Sequence, residues 1–154
     1  MIKMILFLRM DKNLEAKSIG YFLERTTRIV KLAYLKGLKE AGLDITPEQW
    51  VILSSLYEQN GQSQTELASE SFKNAPTISR ILDLLCDKGY TERRATDSDR
   101  RKFLIFLTDQ GKKAVRKAEA VVDELRQKGW ENLTDRDYEN FLRIINQVFQ
   151  NFED

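Results

Sequence analysis

The sequence predicts a mainly α-helical protein with one small β-hairpin, a winged helix-turn-helix set between long amino- and carboxy-terminal helices. Three observations lead there. Apolar residues recur at helical spacing along most of the 154-residue chain. Capping signatures, Thr46-Pro47-Glu48-Gln49 and Ser63-Gln64-Thr65-Glu66, open two closely spaced helices near its middle. Between Gly89 and Thr108 the period changes to two short β-like runs around a polar stretch.

The first element runs from Leu14 to about Ala41, where Ile19, Phe22, Leu23, Ile29, Val30 and Ala33 keep helical spacing and Gly42 supplies a stop. Thr46 is an N-cap with Pro47 in the first helical position, so a second helix begins there, turns Trp50, Ile52, Leu53 and Leu56 inward and ends near Asn60-Gly61. Ser63 opens a short third helix with Leu67 and Ala68 facing the core. After a break at Phe72-Lys73-Asn74, Asn74 caps a fourth helix with Pro76 in its first turn. Its stripe of Ile78, Ile81, Leu82 and Leu85 runs up to Lys88-Gly89. Two short helices joined by a tight turn form a helix-turn-helix.

The runs Tyr90 to Arg94 and Phe103 to Leu107 read as strands around Ala95 to Lys102. That loop has no Asn-Gly or Asp-Gly pair, so the hairpin should carry a long tip rather than a two-residue turn. Thr108 caps a fifth helix with Ala114, Ala118, Val121, Val122 and Leu125 along one side. Thr134, with Asp137 three places on, opens a sixth that presents Tyr138, Phe141, Leu142, Ile145, Val148, Phe149 and Phe152. Residues 46–108 thus form a central lobe, and 1–45 and 109–154 form flanking dimerisation helices of one continuous fold.

Composition narrows the chemistry. With 42% hydrophobic and 32% charged residues, seven Gly and two Pro, the chain reads as globular with long helices. It contains no His, which excludes His-based triads, imidazole acid–base catalysis and His-ligated metals. No enzyme activity, cofactor or metal is expected. The lone Cys86 cannot form an intrachain disulfide, which fits a reducing cytoplasm, and near the end of the fourth helix it reads as a buried, inert thiol. The apolar run Met4-Ile5-Leu6-Phe7-Leu8 before Arg9 is too short for a signal or membrane segment. It is expected to be a packing arm, with no membrane partner.

The net charge of +1 conceals a polarity. Between Lys73 and Arg116 stand 11 basic and 6 acidic residues, a local +5, which leaves −4 for the rest. One face suited to DNA and another suited to a partner subunit would produce this pattern, and so would an ordinary solvated charged surface. Phe141, Ile145, Val148, Phe149 and Phe152 are more than the central lobe can cover. The simplest cover for them and for the amino-terminal arm is a second copy of the chain, and folding back within one chain is the alternative.

One stretch carries a specific likeness. Thr77-Ile78-Ser79-Arg80-Ile81-Leu82-Asp83-Leu84-Leu85, Lys88-Gly89-Tyr90, Arg93-Arg94, Asp99-Arg100-Arg101 and Leu107-Thr108-Asp109-Gln110-Gly111 stand in register. In order and spacing they resemble the recognition helix, wing and following helix start of the multiple-antibiotic-resistance regulator (MarR) family. The resemblance implies a homodimeric, ligand-responsive repressor of transcription on double-stranded DNA with a pseudo-palindromic operator. The recognition helix, about 74–88, would enter the major groove through Lys73, Asn74, Thr77, Ser79 and Arg80. The wing, 95–102, would bring Arg100, Arg101 and Lys102 to the minor groove, with Asp99 orienting a guanidinium. Thr96 and Ser98 depart from the fuller family pattern of an Asp and an Arg there, which leaves open whether Arg100 or Arg101 is the inserted residue. A small aromatic effector would lie in a crevice involving Phe22, Arg25, Ile29 and Trp50. The competing reading is a winged-helix adaptor that binds proteins and not DNA.

Overall fold

The computed structural model describes residues 18–95 and 103–153. Helix α1 (Ile19–Glu40) opens after Ser18, whose backbone is extended and whose hydroxyl accepts from the Tyr21 amide at 3.4 Å. It therefore begins later than the Leu14 start that apolar spacing suggests, because an extended Ser18 cannot lie inside a helix and caps the one after it. Helix α2 (Pro47–Glu58) has a reciprocal capping box: the Gln49 amide donates to Thr46 Oγ1 at 3.2 Å and the Thr46 amide to Gln49 Oε1 at 3.1 Å.

Strand β1 (Gln62–Ser63) leads directly into α3 (Gln64–Glu70), and α4 (Ala75–Asp87) completes the helix-turn-helix. Strands β2 (Thr91–Ala95) and β3 (Phe103–Leu107) pair antiparallel, with Thr91 opposite Leu107 and Ala95 opposite Phe103. β1 adds to the other edge of β3, Gln62 opposite Ile105, which gives the order β1-β3-β2. This third strand has only two residues, too few to show any alternation in the sequence. β2 starts one residue later than expected, since the Tyr90 amide is spent on Leu85 O at 2.9 Å in closing α4.

The core lies between α2, α3, α4 and the sheet, where Leu53, Leu56, Leu67, Ile78, Leu82 and Leu85 have no accessible surface. Burying each such side chain contributes about 1.5–3 kcal/mol. Ile81 is only half-buried at the core's edge, and so is Cys86, whose Sγ sits 3.3 Å from Thr91 Oγ1. The cysteine faces β2 and not the core interior, which corrects the expectation of a fully buried thiol.

Helix α5 (Asp109–Gly129) lays Ala114, Val115, Ala118 and Val122 along this core, against α1 and α2. A Cβ on Gly37 of α1 would stand 2.9 Å from Val121 Cγ1, so the two long helices touch where one lacks a side chain. Helix α6 (Asp135–Gln150) has no buried residue. Trp130, at the α5 terminus, clasps its start with edge-to-face contacts to Tyr138 at 4.9 Å and Phe141 at 5.8 Å. Among the described residues, no helix is long and apolar enough to cross a membrane.

The tightest approach is at Gly111, where a Cβ would stand 2.1 Å from the Tyr90 carbonyl oxygen. Backbone cannot yield as a flexible side chain does, so Gly111→Ala should destabilise the fold by about 1–3 kcal/mol through overpacking. Chemical denaturation checks this; a midpoint unchanged from wild type would refute the rigid junction.

Candidate nucleic-acid interface

The turn between α3 and α4 is built from local hydrogen bonds. Ser63 and Glu66 form a reciprocal box at the start of α3, Glu66 N donating to Ser63 Oγ at 3.2 Å and Ser63 N to Glu66 Oε2 at 2.7 Å. At its end Phe72 takes a left-handed φ of 52°, the Phe72 amide donates to Ser69 O and the Lys73 amide to Ala68 O. Asn74 then opens α4, its Oδ1 accepting from the Thr77 amide at 2.9 Å. That oxygen is therefore occupied in holding the helix start. Gln64 Nε2 reaches Ala75 O at 3.4 Å and ties the starts of the two helices together.

α4 buries Ile78, Leu82 and Leu85 and turns Thr77 and Arg80 outward, with Lys73 and Ser79 half-buried beside them. Arg80 forms no ion pair with any described residue. The cations that follow it along the chain behave otherwise. Arg93 is held by Asp83 at 2.6 Å, Lys88 by Asp44 at 3.0 Å, and Arg94 by Glu92 while its guanidinium lies 4.4 Å over the Phe106 ring. The sequence sorts none of these cations from the others; the structure separates those that brace the lobe from Arg80 and Lys73, which pair with no described carboxylate. Asp99, Arg100, Arg101 and Lys102, like the amino-terminal arm Ile5 to Leu8, lie outside the described residues.

Sequence reasoning missed the polar residues behind this surface. Gln62, only 2% exposed, donates its amide to Ser55 O, Ser55 Oγ and Gln59 O, and Asn60 Oδ1 accepts from the Leu107 amide at 2.9 Å. Both fix β1 and β3 under the helix-turn-helix. Gln62 lies in a strand of two residues, too short for the sequence to signal that its side chain is buried, and Asn60 is exposed.

The four residues assigned to an effector crevice are not brought together. Trp50 is buried in the core, Ile29 is exposed, and Phe22 is half-buried under Arg25, whose guanidinium lies 5.4 Å over its ring. The open groove between α1 and the start of α2, about 580 Å³, is lined instead by Leu23, Thr27, Arg28, Lys31, Leu35 and Pro47 among others. Leu23, Thr27, Lys31 and Leu35 recur every fourth residue, on the face next to that of Phe22, Arg25 and Ile29. At the rim Lys31 donates to Glu48 at 2.8 Å, and this bond holds the Glu48 carboxyl below its usual range. On α6, Ile145 and Val148 are half-buried and Phe141 and Phe149 exposed, as is Phe152 just beyond its end. Ile145, Val148, Phe149 and Phe152 share a hollow with Leu23 of α1.

A helix-turn-helix packed on an antiparallel wing, with its second helix presenting a cation that no described carboxylate neutralises, defines a winged-helix protein of the kind that regulates transcription. The pattern of the MarR family matches residues 45–103 of the chain. It is similar to Staphylococcus aureus MepR, solved as a DNA complex, at 25% identity over 88% of this chain and 99% of that one, with a TM-score of 0.82. A MarR transcriptional regulator from Methanosarcina mazei is 25% identical over 86% and 94%, with a TM-score of 0.74. A Listeria innocua protein of unknown function is 30% identical over 88% and 93%, with a TM-score of 0.64.

The box at α3 also sets a pH dependence. The backbone and hydroxyl bonds from Ser63 lower the pKa of Glu66 below its ordinary value of 4.5. Their stabilising contribution is complete above that value and is lost as pH falls through the lowered one. The stability advantage of wild type over Glu66→Gln should therefore be constant at neutral pH and shrink on acidification below about 4.5. Paired denaturation curves across that range test it, and an advantage growing toward acid would contradict the assignment.

Proposed function

We propose that the chain is a sequence-specific double-stranded-DNA-binding transcriptional regulator, acting as a homodimer and as a ligand-responsive repressor. The observation that carries the reading is the outward face at the start of α4, where Thr77 and Arg80 stand clear of the core on a helix fixed at both ends. An Arg there can take guanine O6 and N7 bidentately, while Thr77, Ser79 and Lys73 suit phosphates or base edges. The hairpin joining β2 to β3 carries Arg100, Arg101 and Lys102 to the minor groove, with Asp99 orienting one of them. The likeness to MepR, which was solved on DNA, supports this reading.

The homodimer is inferred from α6. None of its residues is buried, and Phe141, Phe149 and the adjoining Phe152 are 47%, 51% and 86% exposed. Soluble monomers rarely leave such a face open, and a second copy covers it most simply. The groove beside Lys31 and Arg28 has an apolar floor of Leu23, Leu32 and Leu35. It is suited to a small aromatic effector with an anionic or phenolic group.

Arg80→Ala should cost about 1–3 kcal/mol on the specific site and much less on unrelated duplex. Arg100→Ala and Arg101→Ala should also weaken binding, the larger loss marking the residue in the groove. Affinity measured against salt on the DNA upstream of the gene checks all three. A wild-type protein with no salt-dependent DNA binding, on that site or on random duplex, would instead establish the protein-interaction adaptor. Sedimentation equilibrium should give a dimer at micromolar concentration, and truncation after Gln147 should dissociate or unfold it; a well-folded monomer at that concentration would remove the dimer from the proposal.

A further inference from the structure

Three helices close with the same backbone device, and one departs from the others in composition. In α1, α3 and α4 an amide just past the helix reaches back to a carbonyl of the last turn: Leu43 N to Leu38 O at 2.9 Å, Lys73 N to Ala68 O at 3.1 Å, and Tyr90 N to Leu85 O at 2.9 Å. The residue before each donor must be left-handed. Two of the three are Gly42 and Gly89, at φ 69° and 71°, and the third is Phe72 at 52°. Glycine takes this conformation at no steric cost, whereas a bulky residue there is an outlier.

Burial does not account for the phenylalanine either, because Phe72 is 84% exposed. What its ring meets is Phe149, with centroids 6.5 Å apart and planes at 77°, an edge-to-face pair. Phe149 belongs to α6, a helix without a single buried residue. Phe72 immediately precedes Lys73 and the Asn74 cap of the recognition helix. One aromatic contact thus links the turn that aims α4 to the helix that carries the apolar face.

We propose that Phe72 is a positioning residue for DNA recognition: its ring, edge-to-face with Phe149, couples the helix-turn-helix turn to α6 and so sets where each recognition helix stands in the dimer. This rests on the DNA-binding dimer proposed above. Backbone ease at the turn is given up for a side chain that couples two parts of the molecule, a trade typical of functional strain.

The two effects of Phe72 oppose each other in one variant, which makes the test decisive. Phe72→Gly removes the ring and relieves the backbone. It should melt at or above the wild-type midpoint yet bind the DNA upstream of the gene about 2- to 30-fold more weakly. Phe72→Asn, also tolerated in the left-handed region, is the second variant and should do the same. Phe72→Tyr should restore wild-type affinity. Phe149→Ala should reproduce the loss, and the double variant Phe72→Gly/Phe149→Ala should bind no more weakly than either single one. Affinities are compared at concentrations where sedimentation gives the same oligomer for every variant. Wild-type affinity in Phe72→Gly and Phe72→Asn, or additive losses in the double variant, would overturn the coupling. A wild-type protein that binds no duplex is a different result, which overturns the DNA-binding reading and this proposal with it.

Discussion

Four segments of the chain meet at Thr108, and the central lobe depends on that meeting. The Thr108 amide donates to Tyr90 O at 3.1 Å, its hydroxyl to Gly89 O at 2.6 Å, and the same oxygen accepts from the Gly111 amide at 3.0 Å. The end of α4, the start of β2, the end of β3 and the start of α5 are thereby tied within one cluster of backbone groups. Because Gly111 has no Cβ, α5 can begin in contact with the Tyr90 carbonyl. Buried backbone groups must find partners, and here they find them across elements. Helix α4 inherits its position from this knot at one end and from the Asn74 cap at the other.

Legible in the sequence is whatever is decided within four or five residues. The caps at Thr46, Ser63, Asn74, Thr108 and Thr134 all accept from the amide three places on, as their spacing implies. The winged helix-turn-helix can be read from these caps and from the apolar stripe of α4. Features decided between distant segments are not legible. β1 exists because Gln62 finds Ile105 across the lobe. The groove on α1, lined by Leu23, Thr27, Lys31 and Leu35, is not singled out by the sequence, since a helical period fixes spacing but not which face a partner helix will meet. The break at Phe72-Lys73-Asn74 is legible from its Asn, but not that Phe72 is the left-handed residue, because that conformation is read from Gly and Asn.

Charge is divided by task. A local excess of five positive charges between Lys73 and Arg116 does not act as one patch. Arg93, Arg94 and Lys88 are paired inside the lobe, where they join α4 to β2, neighbours along β2, and the end of α4 to the loop after α1. Exposed pairs of this kind contribute little stability individually. Their effect is rather to hold side chains in place and leave fewer cations available on the outer surface. Net charge alone would therefore misjudge the number of cations this surface leaves unpaired.

Arg80 pairs with no described carboxylate, and that isolation bears on how such a protein can change over generations. The core side of α4 is committed to Ile78, Leu82 and Leu85, and the opposite side owes nothing to them. Exchanges at exposed positions of this sort usually shift stability by no more than about 0.5 kcal/mol. A lineage can therefore try different side chains at position 80 without endangering the scaffold. Under the DNA-binding reading proposed above, target preference and foldedness would rest on separate residues of one helix, so the first could drift while selection holds the second fixed.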